Sequence, residues 1–330
     1  MVMADEQVDE FPRLADPFRR ELLAHCYRMT GSIHDAEDLV QETYLRAWRA
    51  YDRFEGRSSL RTWLYRIATT TCLTALRSRG RRPMPTGLGT AGSDPDDPLV
   101  DLPEVAWLEP VPDAMVGAAR SDPATIVTSR ESIRLALIAA LQHLPPRQRA
   151  VLILRDVLQW RAAEVAELLG VTTIAVNSSL QRARAQLDRS APVEDEMAEP
   201  ESLDQRLLLD RYVAAFERKD IPAILELFTS DIVWEMPPFA AWYHGPEPVG
   251  RHLHARCPAR PGGLRLVPVE ANGQPAFAMY MRDEHGELRA FALQVLTVKA
   301  SGITHVANFL DTRLFPTFGL PPTHTALAVA

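Results

Sequence analysis

The sequence predicts a multidomain protein in which two all-α helical modules, a bundle and a helix-turn-helix, precede an α+β domain. The chain has 330 residues, more than one domain usually holds. Apolar residues recur at helical spacing up to about residue 190, whereas β-rich, alternating runs appear after about residue 203. A proline-rich acidic segment interrupts the helical part. The predicted divisions are a first module at 15–82, an acidic Pro-rich linker at 83–124, a second module at 125–190, a second linker at 191–202, the α+β domain at 203–320 and a tail at 321–330.

Composition narrows the class of protein. No run approaches the 18 apolar residues of a membrane span, and the acidic N-terminus is unlike that of a signal peptide, so we expect a cytoplasmic protein with no membrane partner. The three cysteines are odd in number and widely spaced, which predicts buried thiols rather than disulfides or zinc ligands. We expect no metal site and no cofactor.

The charge of the chain is unevenly distributed. The overall net charge is −7, but residues 1–82 carry +2 and residues 130–190 carry +4. The intervening residues 83–129 carry −7, and residues 191–330 carry −6. An acidic linker that cannot bury apolar surface is expected to stay extended between two basic modules.

The first module reads as three helices separated by glycines. Ser32, followed three residues later by Asp35, predicts the start of the second helix, on which Ala36, Val40 and Ala47 form a buried stripe. The third helix is expected to begin near Ser58 and to expose several arginines. These residues alone are also compatible with a bundle that has only a solvated basic face.

The second module carries a helix-turn-helix pattern. Ala166 lies in the middle of a short predicted helix, Gly170 supplies the turn, and a second helix opens at Thr172 or Thr173. Either Ile174 or Val176 is expected to fill the core. The second helix then presents residue types that hydrogen-bond base edges and phosphates, namely Asn177, Ser178, Gln181, Arg182 and Arg184.

In joint order, the motifs of both modules resemble the extracytoplasmic function group of the sigma-70 family of transcription initiation factors. The motifs are Asp35 to Glu42 with Trp48, Leu60 to Ala68, and Leu144 to Arg149 with Arg182 to Arg184. The resemblance implies two partners, core RNA polymerase and promoter DNA. It assigns Asp35, Asp38, Gln41, Glu42 and Trp48 to polymerase binding, Arg61, Trp63, Arg66 and Arg77 to the −10 element, and Thr173, Asn177, Ser178, Gln181, Arg182 and Arg184 to the −35 element.

Three points in this assignment stay open. The spacing of Trp63 from Leu60 and Ile67 also fits a core position. Asn177 and Ser179 replace basic residues that are common in the family, which predicts weaker phosphate anchoring. The resemblance implies that the acidic linker threads the polymerase cleft, while the alternative is a passive tether.

The third domain begins with two amphipathic helices, at 207–216 and 221–228, and continues into a curved antiparallel sheet. Its pattern resembles the SnoaL-like branch of the cone-shaped NTF2-like group, some members of which are enzymes. Glu235, His244, His305 and Asp311 are therefore candidates for general acid–base tests, although we assign no catalytic residue. We expect His244, His252 and His254 to be surface residues. The candidate pocket for an unknown small-molecule ligand is formed by Trp234, Phe239, Trp242, His244 and Tyr280.

Two functions follow from this organisation. The first is a sigma factor, not an enzyme, that binds core polymerase, directs promoter recognition and is regulated in cis by its third domain. The alternative is a SnoaL-like small-molecule enzyme or ligand-binding protein that carries a DNA-binding module.

Overall fold

The computed structural model describes residues 10–89, 92–116, 131–190 and 202–325. Parts of four predicted segments therefore lie outside the described residues: residues 90–91 and 117–124 of the acidic linker, the start of the second module at 125–130, most of the second linker, and the last five residues of the tail. The described chain forms two compact units. The first joins the segment ending at Arg82 to the segment starting at Leu108, and the second joins Pro83–Trp107 to the C-terminal domain.

The first unit opens with three helices, α1 (Arg19–Thr30), α2 (Ile33–Ala50) and α3 (Leu60–Ala75). Gly31 ends α1 with a positive φ of 70°, a conformation that costs glycine little. As predicted, Ser32 caps α2, since its side chain accepts a hydrogen bond from the Asp35 amide. Ser59 caps α3 in the same way, through the Thr62 amide.

The unit continues with α4 (Leu135–Gln142), α5 (Pro146–Leu152), a π-helical turn (Ile153–Val157), α6 (Ala162–Leu169) and α7 (Thr173–Ser190). The sequence predicts one helix from residue 147 to about 158, whereas its last turn widens to π geometry with the Leu158 amide bonded to the Ile153 carbonyl at 2.9 Å. Gly170 joins α6 to α7 with a φ of 64°. The predicted helix-turn-helix is confirmed.

Two buried arginines hold the helices of the second module against α1. Arg28 donates to the carbonyl of Ser132 at 3.1 Å and to its hydroxyl at 2.6 Å. Arg149 donates to the Met29 carbonyl and to the side-chain oxygen of Gln142, the latter at 2.7 Å. Burial lowers the pKa of each guanidinium to about 10, so both stay charged at neutral pH. Both are stabilised by neutral oxygens rather than by carboxylates.

The second unit contains α8 (Leu203–Arg218), α9 (Ile221–Leu225) and α10 (Pro246–Arg256). Its strands are β1 (Phe228–Glu235), β2 (Trp242–His244), β3 (Leu264–Ala271), β4 (Gln274–Arg282), β5 (Leu288–Lys299), β6 (Gly302–Phe309) and β7 (Thr323–His324). Phe228 begins β1 instead of ending a helix. The sequence analysis did not predict α10, because Pro246 and Pro248 in its first turn interrupt the helical pattern.

The strand order is β2-β1-β6-β5-β4-β3, with β7 paired to β5. The expectation of a wholly antiparallel sheet is wrong, because β1 and β6 run parallel. The chain leaves β1 through β2 and α10 and builds β3 to β6 as successive hairpins, so β6 arrives beside β1 in the same direction. One face of the sheet packs on the helices around Trp234, Phe216, Tyr212 and Phe277.

The acidic linker is not extended where the structure describes it. Residues 83–89 and 92–107, called the strap below, fold onto the C-terminal domain. Leu99 packs against the hydrophobic core of that domain, and Asp101 forms an antiparallel bridge with Phe239. Composition gave no sign of this docking, because the strap has few apolar residues and those it buries, such as Met84 and Leu99, depend on partners that are distant in sequence.

Two smaller expectations also have outcomes. Cys26 and Cys72 are buried, with their Sγ atoms 3.6 Å apart, but Cys257 is only half-buried. His252 is buried against the ring of Tyr243 rather than exposed. Within the described ranges, no helix is long and apolar enough to cross a membrane, and no group of histidine, cysteine or acidic residues could hold a metal ion.

Candidate polymerase and promoter interfaces

Helix α2 has one face in the core and one in solvent. Ala36, Val40, Thr43 and Ala47 are buried, as their three- and four-residue spacing requires. The opposite face presents a second stripe at the same spacing, called the α2 ridge: Asp38, Gln41, Leu45 and Trp48. Leu45 and Trp48 keep 47% and 48% of their surface exposed. Sequence reasoning missed Leu45, although a leucine three residues before an exposed tryptophan was a usable signal.

The other two acidic residues assigned to polymerase binding already have partners. Asp35 accepts ion pairs from Arg79 at 2.7 Å and Arg82 at 2.9 Å. Glu42 pairs with Arg46, one turn along the same helix, at 2.7 Å. The α2 ridge is therefore the part of this helix that is open to a partner, while Asp35 ties the end of the first module to the start of α2.

Glu109 occupies the N-terminus of α2. One of its carboxylate oxygens accepts hydrogen bonds from Ser32 Oγ at 2.7 Å and from the Ile33 amide at 3.1 Å. Negative charge at this position is favoured by the helix dipole. The other oxygen lies 3.7 Å from a guanidinium nitrogen of Arg82. The chain thus leaves the first module at Arg82 and returns to it at Glu109, and the two residues form what we call the strap foot.

The side chains assigned to the −10 element lie on α3 or just beyond it. Arg61 makes a double hydrogen bond with Glu21 and its guanidinium carbon lies 5.0 Å from the centre of the Tyr65 ring. Trp63 is half-buried, with its ring centroid 4.9 Å from that of Phe54. The Trp63 ring is therefore partly covered by Phe54 but is not fully buried in the core. Arg77 is exposed in the turn after α3.

Arg66 joins the two modules. Its Nη1 atom lies 2.8 Å from a carboxylate oxygen of Glu167, on the first helix of the helix-turn-helix. Close by, the rings of Tyr65 and Trp160 meet edge to face at 6.3 Å. The surface assigned to the −10 element is therefore in direct contact with the module assigned to the −35 element.

Helix α7 places most of its assigned residues in solvent. Thr173, Asn177, Gln181 and Arg182 are exposed, Ser178 is half-buried, and Val176, Leu180 and Ala183 form the buried side. Arg184 is held by Asp156 through two hydrogen bonds of 2.9 and 2.7 Å. Val176, not Ile174, fills the core, since Ile174 is 76% exposed.

Two of the four acid–base candidates of the C-terminal domain meet. His305 Nε2 lies 2.7 Å from Glu235 Oε1, and the backbone amide of Thr86 in the strap donates to Glu235 Oε2 at 2.8 Å. Glu235 is 3% exposed. His244 is exposed on β2. His244 and His305 are the register partners of Val233 in the two strands that flank β1. Asp311 chelates the guanidinium of Arg313 in the turn after β6.

The five residues of the candidate pocket have unlike surroundings, although Trp234 and Phe239 both contact the hydrophobic core of the domain. Trp234 is buried under the helices and stacks on Phe216, whereas Tyr280 packs on Phe315 and donates to the Pro321 carbonyl at 3.1 Å. Phe239 bridges to the strap. Trp242 lies beside Gly92 of the strap, and His244 is exposed. Trp242 and His244 lie on β2, which pairs with the strand that carries Trp234.

The acidic run of the strap is neutralised within the second unit. Arg251 of α10 forms ion pairs with Asp94, at 3.2 Å, and with Asp96. Arg256, about one and a half turns further along α10, donates to the carbonyls of Asp96 and Asp97 at 3.0 and 3.2 Å. Nearby, the Ser93 amide donates to the Trp242 carbonyl at 2.8 Å. The acidic residues that the resemblance places in the polymerase cleft are therefore bound here by arginines of the C-terminal domain.

Comparison with known proteins assigns families to all three parts of the chain. Residues 14–82 match Sigma-70 region 2, residues 134–187 match Sigma-70 region 4, and residues 209–306 match the SnoaL-like domain. The chain is 59% identical to the ECF RNA polymerase sigma factor SigG of Mycobacterium tuberculosis, over 96% of this chain and 86% of that protein.

A second relative supports the same architecture. SigJ of Mycobacterium tuberculosis is 30% identical over 69% of this chain and 64% of its own length. The crystal structure of SigJ matches 95% of this chain and 100% of that chain with a TM-score of 0.61 and 22% sequence identity, which shows a shared fold. The chain therefore belongs to the extracytoplasmic function group of sigma-70 family transcription initiation factors, in a form that carries a C-terminal SnoaL-like domain.

Proposed function

We propose that the α2 ridge is the surface by which this sigma factor docks on core RNA polymerase. The observation that carries this proposal is the exposure of Leu45 and Trp48 on a helix whose opposite face is buried. Paired large apolar side chains flanked by Asp38 and Gln41 suit a helical partner that supplies apolar contacts and hydrogen-bond donors.

The test replaces three ridge residues with alanine: Gln41, Leu45 and Trp48. Because all three are exposed, the bundle should keep its stability within about 0.5 kcal/mol per substitution. Core polymerase should no longer co-purify with the variant. A matched control, Leu207→Ala with Asp210→Ala on α8, should bind normally. Wild-type affinity of the ridge variant would place the docking surface elsewhere.

We propose further that this arrangement of the first unit is a closed form that must open on a promoter. The two elements are separated by about 25 base pairs, or about 85 Å at about 3.4 Å per base pair. Arg66 belongs to the first module and Glu167 to the second, and Arg66 Nη1 lies 2.8 Å from Glu167 Oε1. Both modules cannot occupy their elements while this contact and the Tyr65–Trp160 contact persist.

We propose that the C-terminal domain controls this opening by holding the strap. The strap connects the two recognition modules, and its roughly 26 peptide steps from Arg82 to Leu108 could span up to about 90 Å when extended. The C-terminal domain removes that reach at two places, the Thr86–Glu235 hydrogen bond and the Arg251 ion pairs. Within the first unit, the strap foot also keeps the two ends of the strap together. The SnoaL-like domain therefore acts as a latch on the linker.

A reversible disulfide tests the latch. Asp101 and Phe239 form a non-hydrogen-bonded antiparallel pair, since hydrogen bonds flank them from the Ala240 amide to the Val100 carbonyl and from the Leu102 amide to the Pro238 carbonyl. Such pairs have Cα atoms about 4.5 Å apart, within the range that a disulfide spans. The double variant Asp101→Cys with Phe239→Cys, made in a Cys257→Ser background, can be locked by oxidation.

The oxidised protein should bind core polymerase but give much less promoter-dependent run-off transcription, and a reductant should restore it. Each single-cysteine variant, treated with the same oxidant, is the control. Equal transcription from the oxidised and reduced double variant would show that the strap need not leave the domain.

The enzymatic alternative depends on Glu235 and His305, and their surroundings favour a structural role. Each oxygen of the Glu235 carboxylate already has a hydrogen-bond partner, one of them the strap backbone. A general base needs an oxygen that reaches a substrate proton. We therefore propose that this pair anchors the strap rather than performing chemistry.

A further inference from the structure

The solvent-facing side of α7 has an apolar residue at its leading end. With Val176, Leu180 and Ala183 buried, the outward side of the helix is the row at spacings of four, three and four that runs through Ile174, Ser178, Gln181 and Ala185. Ile174 is 76% exposed, the highest value among the large hydrophobic residues that the structure describes. It contributes nothing to the core that Val176 already fills.

Ile174 lies in the first turn of α7, the part of a recognition helix that contacts bases. Helix α7 begins at Thr173, and the Thr172 hydroxyl accepts a hydrogen bond from the Ala175 amide at 3.2 Å, which fixes the first turn. In a helix-turn-helix the N-terminal residues of the second helix enter the major groove and contact base edges. Ile174 lies in this first turn, on the outward row.

The chemistry of the side chain restricts what it can recognise. An isoleucine side chain neither donates nor accepts a hydrogen bond, and the apolar group that base pairs display in the major groove is the 5-methyl group of thymine. Asn177 and Gln181, about one and two turns further on, carry amides that match the donor and acceptor edge of adenine. The three side chains together suit a segment of A·T pairs.

We propose that Ile174 is a specificity-determining residue that contacts the 5-methyl group of a thymine in the −35 element. This inference rests on a proposal that follows from the family resemblance, namely that α7 recognises the −35 element. It would give sequence selectivity to a helix that has Asn177 and Ser179 where the family commonly has cations that anchor phosphates. Selectivity then comes from shape and amide contacts rather than from additional charge.

The test uses deoxyuridine, which differs from thymidine by this methyl group alone. Full-length holoenzyme first selects binding sites from a promoter library randomised at the −35 element. Each thymine of the selected site is then replaced by deoxyuridine, one position at a time, and affinity is measured for the wild-type protein and for Ile174→Ala, Ile174→Val and the control Leu207→Ala.

At one thymine the wild-type protein and the control should bind deoxyuridine about fourfold more weakly, the effect of burying one methyl group. Ile174→Val should keep part of this difference, and Ile174→Ala should bind both bases equally. Circular dichroism checks that each variant is folded.

The possible failures are distinguishable. If the wild-type holoenzyme selects no −35 sequence, the proposed promoter recognition by α7 is overturned, and this inference with it. If the holoenzyme selects a site but tolerates deoxyuridine at every position, or if Ile174→Ala keeps the wild-type preference for thymine, only the role of Ile174 is overturned.

Discussion

His25 and His252 are buried neutral residues, one in each compact unit. Burial, reinforced by the charge of Arg28, lowers the pKa of His25 to about 3, and burial lowers that of His252 to about 4. The Nε2 atom of His25 lies 3.0 Å from Thr69 Oγ1. These histidines take up a proton more readily when the chain unfolds, so they make both units sensitive to acid.

The first prediction is a pH dependence that His25→Gln reduces. An unfolded histidine titrates near pH 6.5, so the contribution of His25 to stability is complete above that pH and falls as the pH drops from 6.5 towards about 3. From pH 7.5 to 5.5 the wild-type first unit should lose about 1.4 kcal/mol more than the variant. Urea unfolding at the two pH values measures this difference.

A glutamine in place of His25 can keep a hydrogen bond to Thr69, and a loss of stability at pH 7.5 alone does not bear on the prediction. The control is His254→Gln, which removes an exposed histidine of the second unit and should leave the pH dependence of the first unit as in the wild type. Parallel profiles for wild type and His25→Gln would mean that folding leaves the pKa of His25 unchanged.

Single side chains were predictable where helical spacing decides between core and solvent. The buried stripe of α2 and the Ser32 cap follow from spacing and residue type. Spacing could not choose between Ile174 and Val176, because the phase of a short helix depends on where its first turn begins. Nor could it show that Asp35 is paired with Arg79 and Arg82, since those arginines return to α2 only through tertiary folding.

Helix α6 and helix α3 meet through an exposed ion pair, and its removal is the second prediction. Exposed pairs of this kind contribute little to stability, because water screens the two charges. Glu167→Ala leaves Arg66 intact for DNA but weakens the closed form, so promoter affinity of the holoenzyme should rise by up to about fivefold. Filter binding at low salt measures it.

Glu131→Ala, an exposed acidic substitution in the same module, is the matched control and separates the loss of this contact from a general reduction of negative charge. Lower affinity for Glu167→Ala than for the control would argue that the pair supports the DNA-bound form instead.

At the level of elements, periodicity identified the helix-turn-helix and most strands, since each has a hydrophobic face of its own. The strap and the parallel β1–β6 pairing were not predictable. Both depend on partners distant in sequence, such as Thr86 with Glu235 and Trp234 with Val306. Local composition indicates only the conformation that such a segment prefers on its own. Backbone pairing with a strand or loop that is distant in sequence overrides that preference.

The whole molecule is built from modules that interleave along the chain. The strap belongs structurally to the C-terminal domain, yet it is inserted between the two promoter-recognition modules. A truncated protein that ends near residue 201 therefore lacks the domain, and the acidic residues of its strap lose their partners. Activity of such a truncation alone cannot separate relief of the latch from new effects of the freed strap.

A second substitution resolves this, and the combination is the third prediction. In the full-length protein Asp96→Arg should repel Arg251, loosen the strap and raise run-off transcription towards the level of the truncated protein. In the truncated protein the same substitution has no Arg251 to act on and should change nothing. Run-off transcription by the four proteins, with holoenzyme formation measured for each, gives the coupling between Asp96 and the domain.

The opposite pattern has an equally definite meaning. If the acidic strap acts in the polymerase cleft, reversing the charge of Asp96 should lower transcription by the truncated and full-length proteins alike, because the cleft is the same for both. A Glu104→Arg variant, altered at another exposed acidic residue of the strap, controls for charge at a position outside the Arg251 ion pairs. Equal effects of Asp96→Arg in the two backgrounds would exclude the latch, since a contact with Arg251 can influence transcription only in the protein that contains it.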